Sequence, residues 1–315
     1  MEDNGMLSDY SDDTESTGAE PKENDYCFID KSTYTYIDGR KYNKKYELPA
    51  DDEEVTREQL QHYLMRFVWQ TNFSAPVDKL LKESSNVLDV GCGPGTWLLE
   101  MASEYPESKF MGIDISDVFP TECMPRNADF QTADILESLP FNDNTYDFVF
   151  MRFLITAIPE DKWTSQVIPE LIRVTKPGGW IELMESDCKL VNEGPNTKKL
   201  TDAIIIALKS RNINGNAGNL LPGFLGSSTG IDKSSITHET NGGPIGNWGG
   251  KAGVLSIDTS CISFRSLKSL VMRYNPDVEE NYFYNLVDSY SKEVEEYETS
   301  WKTHRVFARK ALKAN

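Results

Sequence analysis

The run Val87-Leu-Asp-Val-Gly-Cys-Gly-Pro-Gly-Thr96 decides the fold class. A short apolar stretch of buried-strand character enters Gly91-x-Gly93-x-Gly95 without a linker, and a helical pattern follows at once from Trp97 to Glu104. Glycines at alternate positions let the backbone turn sharply and admit a ligand where a Cβ would otherwise stand.

Working outward, further apolar runs alternate with helical spacing. Phe110-Met-Gly-Ile-Asp114, Ala128 to Ala133, Asp147-Phe-Val-Phe-Met151 and Trp180-Ile-Glu-Leu-Met184 read as strands. A helix is expected over Lys162 to Val174, ending in Lys176-Pro-Gly-Gly179. Strands separated by helices at this spacing predict an α/β, Rossmann-like, doubly wound and mostly parallel sheet. Upstream, Leu60, Tyr63, Leu64, Phe67 and Val68 recur at helical spacing behind Thr56 as a candidate cap, and a second short helix is expected from Pro76 to Leu81.

Downstream of residue 190 a helix is expected over Thr197 to Ser210, then loop with one embedded strand near Ile236 across Asn212 to Gly253. Two helices within Leu267 to Glu298 and a last strand at 303–310 complete the pattern. The implied organisation is an acidic tail (1–33) and one domain over 34–315. Within it lie N-terminal helices (55–82), a core (84–190), a C-terminal lid and helical region (191–300) and the last strand.

Three strand ends carry chemistry. Asp114 closes the second strand 19 residues beyond Gly95, where an acid accepts hydrogen bonds from ribose hydroxyls. Asp134 closes the third, placed to accept from the exocyclic amine of an adenine. In order at consecutive strand ends, these acids and the glycine turn describe a nucleoside site. The spacing is GxGxG rather than the GxGxxG of a pyrophosphate site, and Asp89 precedes the first glycine. A cationic, phosphate-free nucleoside such as S-adenosylmethionine suits a carboxylate-rich pocket better than NAD. An NAD-dependent oxidoreductase is the disfavoured alternative.

The succession Val87–Gly95, Gly112-Ile-Asp-Ile115, Ala133-Asp-Ile135, Tyr146-Asp-Phe-Val149 and Arg173-Val-Thr-Lys-Pro-Gly-Gly-Trp180 resembles the class I S-adenosylmethionine-dependent methyltransferases. Asp38-Gly-Arg-Lys-Tyr42, Leu48-Pro-Ala-Asp-Asp-Glu-Glu54, Leu60-Gln-His62 and Pro244 to Lys251 are similar to fungal methyltransferases of the LaeA and UMTA type. The resemblance implies methyl transfer from S-adenosyl-L-methionine. Gly91, Gly93 and Gly95 would lie along the methionine and ribose, and Asp89 would help hold the ammonium side. Asp114 with Ile115 would hold the ribose, Asp134 and Ile135 the adenine, and Met151 and Arg152 would border the methyl group. Trp248, in a Gly/Trp-rich run (241–253) expected to act as a lid, is an acceptor-side candidate alongside Arg152. Because some of that group are regulators, a methyltransferase-fold regulator or pseudoenzyme acting through protein partners is the first alternative, ahead of the oxidoreductase.

Composition narrows the acceptor. The 315 residues hold 32 Lys+Arg against 50 Asp+Glu, a net charge of -18, which repels phosphate backbones and anionic lipid. A small molecule or a protein side chain is the expected acceptor, with no nucleic acid and no membrane. The five cysteines form no CxxC pair and only three histidines accompany them, so no metal site is expected, and reduced thiols point to the cytoplasm or nucleus. Residues 1–25 hold nine acids and one Lys and are expected to be a disordered tail. His62 reads as a partner-satisfied side chain, Trp97 as core, and the basic run around His304 as a solvated edge.

Overall fold

A computed structural model describes residues 33–312, so all but the last residue of the expected acidic tail lies outside the described residues. A hairpin, β1 (Tyr34–Ile37) and β2 (Arg40–Asn43), precedes helices α1 (Asp52–Trp69) and α2 (Asp78–Glu83). The central elements follow: β3 (Asn86–Val90), α3 (Thr96–Glu104), β4 (Lys109–Asp114), β5 (Ala128–Thr132) and β6 (Tyr146–Arg152). Next come α4 (Glu160–Lys162), α5 (Ile168–Val174), β7 (Thr175–Ser186), α6 (Pro195–Lys209), α7 (Leu221–Ser227), β8 (Ile231–Pro244), α8 (Gly250–Ser266), α9 (Lys268–Tyr274), α10 (Glu280–Glu296) and β9 (Ser300–Lys310).

Seven strands form one sheet in the order β5-β4-β3-β6-β7-β9-β8, with β9 alone running against the others. The Rossmann-like, mostly parallel architecture expected from the apolar runs is the one observed. The chain moves outward from β3 to β5 and then returns to place β6 on the other side of β3. That reversal opens a crevice at the carboxyl ends of β3 and β6, the position where open α/β sheets bind ligands.

Both faces of the sheet are covered, which is why its strands read as unbroken apolar runs. Val87, Phe110, Phe148 and Phe150 pack against Trp97, Leu98 and Met101 of α3. Leu88, Val90, Ile113, Val149 and Met151 pack the other face against Trp163, Val167, Ile168 and Leu171. Trp97 is core, as its type suggested: its ring stacks on Phe150 with centroids 4.1 Å apart, and its indole N–H donates to the Asn72 carbonyl. Helices α6, α8, α9 and α10 bury a separate cluster that includes Leu200, Ile204, Leu208, Phe264, Leu270 and Tyr290.

Several expectations are corrected. Helix α1 starts four residues before Thr56: Asp51 caps it by accepting from the Glu54 N–H at 3.1 Å, and the Thr56 hydroxyl donates to the Asp52 carbonyl inside the helix. The helix expected over Lys162 to Val174 is broken by a π-turn at Trp163–Val167, just before Pro169, which has no N–H to continue the ladder. The strand expected near Ile236 within Asn212 to Gly253 is the 14-residue β8, but the loop expected around it also holds α7 and the start of α8. Strand β8 is a polar edge strand without the apolar alternation of a half-buried one, and its pairing with β9 supplies its order. In α8, Ser256, Thr259 and Ser263 return their hydroxyls to carbonyls four residues back, so their polarity is absorbed by the helix itself. The basic run around His304 is no solvated edge: β9 lies between β7 and β8, and His304 and Arg305 are buried.

Candidate functional site

A cavity of about 470 Å³ opens at the carboxyl ends of β3, β4 and β6. Its floor is the glycine turn, and its cover is the segment 44–51 with the first three turns of α1. Gly91, Gly93 and Gly95 all have positive φ (+68°, +52° and +73°), the left-handed region that an L side chain rarely adopts. Gly91 and Gly93 line the cavity. Gly95 does not; it packs under Phe130, which stacks on Phe119.

Asp114 stands at the wall with each carboxylate oxygen already engaged once. Oδ2 accepts from the Gly93 N–H at 3.0 Å and Oδ1 from the Ser116 N–H at 2.9 Å. Burial pushes this carboxyl upward while the backbone N–H groups pull it back. One lone pair on each oxygen remains for a ligand. Ile115, Asp134 and Ile135 also line the cavity. Asp134 accepts from the Leu136 N–H at 2.9 Å and receives Lys45 Nζ at 3.2 Å, a cation that also reaches Glu137.

Other expected residues lie elsewhere. Asp89 is only 2% exposed and sits beneath the wall, where burial raises its carboxyl to about 7 against the pull of Arg152. Met151 is fully buried in the sheet core. Trp248 is 42% exposed and outside the cavity; its indole N–H donates to the Ile245 carbonyl, and Glu295 accepts from its backbone N–H. No residue of the run 241–253 lines the cavity, and its middle, Asn247 and Trp248, is tied to α10 through Glu295.

Arg152 does line the cavity, and its orientation has a physical cause. It donates to His62 Nδ1 at 3.1 Å, while His62 Nε2 donates to Glu100 at 2.7 Å. That relay needs a neutral imidazole, and burial together with Arg152 lowers His62 to about 4. His62 thus acts as the partnered side chain its helix position suggested.

Sequence reasoning missed Glu58, Tyr46 and Lys45 in the wall. Glu58 stands over the turn so closely that a Cβ on Gly93 would strike its Oε2. The conspicuous Leu48-Pro-Ala-Asp51 run beside these residues marked the segment without telling where it lies.

Residues 87–179 match the methyltransferase-domain family model. Over this stretch the chain is similar to methyltransferase domains. Along more of its length the chain is similar to fungal proteins. It is 28% identical over 196 residues to methyltransferase str3 of Strobilurus tenacellus, covering 61% of this chain and 68% of the relative. It is 33% identical over 159 residues to the N-methyltransferase verN of Clonostachys rogersoniana, covering 49% and 55%. The secondary metabolism regulator laeA of Coprinopsis cinerea is 30% identical over 146 residues, covering 45% and 36%. The alignments therefore span about one third to two thirds of these relatives.

Proposed function

We propose that this chain binds S-adenosylmethionine in the cavity and transfers its methyl group to a small-molecule or protein acceptor by in-line displacement. The observation that carries this reading is the convergence of the Gly91–Gly93 turn, Asp114 and Asp134 on one cavity at successive strand ends. The residues present suit that cofactor. Asp114 retains one lone pair per oxygen for two neighbouring ribose hydroxyls, and Asp134 with Ile135 borders the place for adenine. Thr96 Oγ1 is buried in the wall with no partner among the described residues, so it is ready for a ligand. A pyrophosphate would instead face the carboxylates of Glu58 and Asp114.

The bound cofactor would supply an electrophilic methyl on a sulfonium. The chain's own part is alignment and water exclusion, effects that can account for much of such a displacement. Arg152, held by His62, gives the cavity a rigid guanidinium beside the turn. Calorimetric titration with S-adenosylhomocysteine and, separately, NAD tests the reading. Binding of the first and not the second is expected; the reverse would overturn it.

A further inference from the structure

Of the cavity carboxylates without a task in the cofactor reading, Glu47, Asp51 and Glu54 are closely paired with arginines and Glu58 is not. It projects from α1, the cover of the site, onto the middle of the glycine turn. Its one hydrogen-bond contact among the described residues is a long one, 3.5 Å from Arg57 Nη2 to Oε1. Arg57 is committed more closely to Glu54, at 2.8 Å. We propose that Glu58 is the base of the acceptor site and that the acceptor is an amine arriving as its ammonium ion. This inference rests on the cofactor assignment made above.

Charge and chemistry both point this way. The groups facing Glu58 are Arg57 and Glu54 on its own helix, Asp114 at the end of β4, Arg152 at the end of β6, and Tyr46 in the cover. Arg57 is matched by Glu54, Arg152 lies in the field of Asp89, and Asp114 adds a further carboxyl, so the cluster carries no surplus of positive charge against an ammonium ion. Of the other cations of the wall, Lys45 is tied to Asp134 and Arg211 to Glu47, while Lys44 is exposed to solvent. Tyr46 and Phe153 add aromatic surface, which also favours an ammonium group.

Burial, assisted by Glu54 and Asp114 and opposed by Arg57 and Arg152, raises the Glu58 carboxyl to about 8. A base works best near the operating pH. An alkylammonium of pKa about 10.4 lies within two to three units of such a base. A neutral aliphatic hydroxyl, which holds its proton far more tightly than an ammonium ion, does not.

The step balances without a further reagent. Glu58 carboxylate takes one proton from the ammonium, freeing the nitrogen lone pair. That pair forms the new C–N bond as the C–S bond breaks, and the sulfonium becomes a neutral thioether. The product leaves as the methylated ammonium, and Glu58 passes its proton to water at the cavity mouth.

The test uses the full chain, Glu58→Gln and Glu58→Asp, with melting curves to establish folding. S-adenosylhomocysteine should bind wild type and Glu58→Gln within about threefold. A loss beyond tenfold in Glu58→Gln would assign the carboxylate to the cofactor and overturn the inference. Failure of the wild type to bind would instead defeat the cofactor reading itself. With S-adenosylhomocysteine bound, matched benzylamine and benzyl alcohol are then titrated. The amine should bind at least tenfold more tightly in wild type, and Glu58→Gln should abolish the difference while Glu58→Asp keeps part of it. Equal binding of amine and alcohol to wild type would overturn the proposal.

Discussion

Replacing Asp114 with Ala probes the site at its best-defined point. Each carboxylate oxygen spends one lone pair on a backbone N–H, at 3.0 Å and 2.9 Å, and keeps the other for the ribose hydroxyl of the proposed cofactor. Hydrogen bonds to a charged group contribute about 1.5–3 kcal/mol each. Losing two at the lower value weakens binding by about 3 kcal/mol, on the order of 100-fold. The substitution also strands the Gly93 and Ser116 N–H groups. Gly93 faces the cavity, where water can replace the lost acceptor, so the stability cost should stay near about 1–2 kcal/mol. Calorimetry with S-adenosylhomocysteine measures the first effect and thermal melting of the apo protein the second. Unchanged affinity in a folded Asp114→Ala protein would refute the ribose assignment.

Gly93→Val should fold less stably by about 1–3 kcal/mol, because φ is +52° and its Cβ meets Glu58. Its affinity for S-adenosylhomocysteine should fall more than tenfold, and normal binding would mean the turn is only structural. Trp97→Ala should cost about 3–5 kcal/mol in chemical denaturation, since the ring is buried and stacked on Phe150. Trp248→Ala should leave cofactor affinity unchanged in the same titration, because the side chain lies outside the cavity. Glu185 is fully buried, accepts from the Leu154 and Ile155 N–H groups, and has its carboxyl raised by burial to about 8. The folded chain thus holds this proton more tightly than the unfolded chain. The stability it contributes is full below the unfolded value of about 4.3 and is lost as pH rises through the folded one. Melting temperature should fall between roughly pH 5 and 8, and Glu185→Gln should flatten that slope.

The parallel core was legible because strands buried on both faces leave unbroken apolar runs, and the turn ending β3 needs glycine for its positive φ. Asp114 and Asp134 were legible for a related reason: strand ends in such a sheet all open on one edge. Local pattern determined these parts of the protein. It could not locate the cover. Glu58 lies 35 residues before Gly93, and only the packing of α1 across the sheet edge brings them together. Trp248 stood out by composition, yet Glu295 on a distant helix draws its segment away from the cavity. His304 and Arg305 belong to a run of charge that suggests solvent, but insertion of β9 between β7 and β8 buries both. Spacing along the chain sets which residues form a strand or a turn; which side chains meet across the cavity depends on contacts between segments far apart in sequence, and those exist only in the folded molecule.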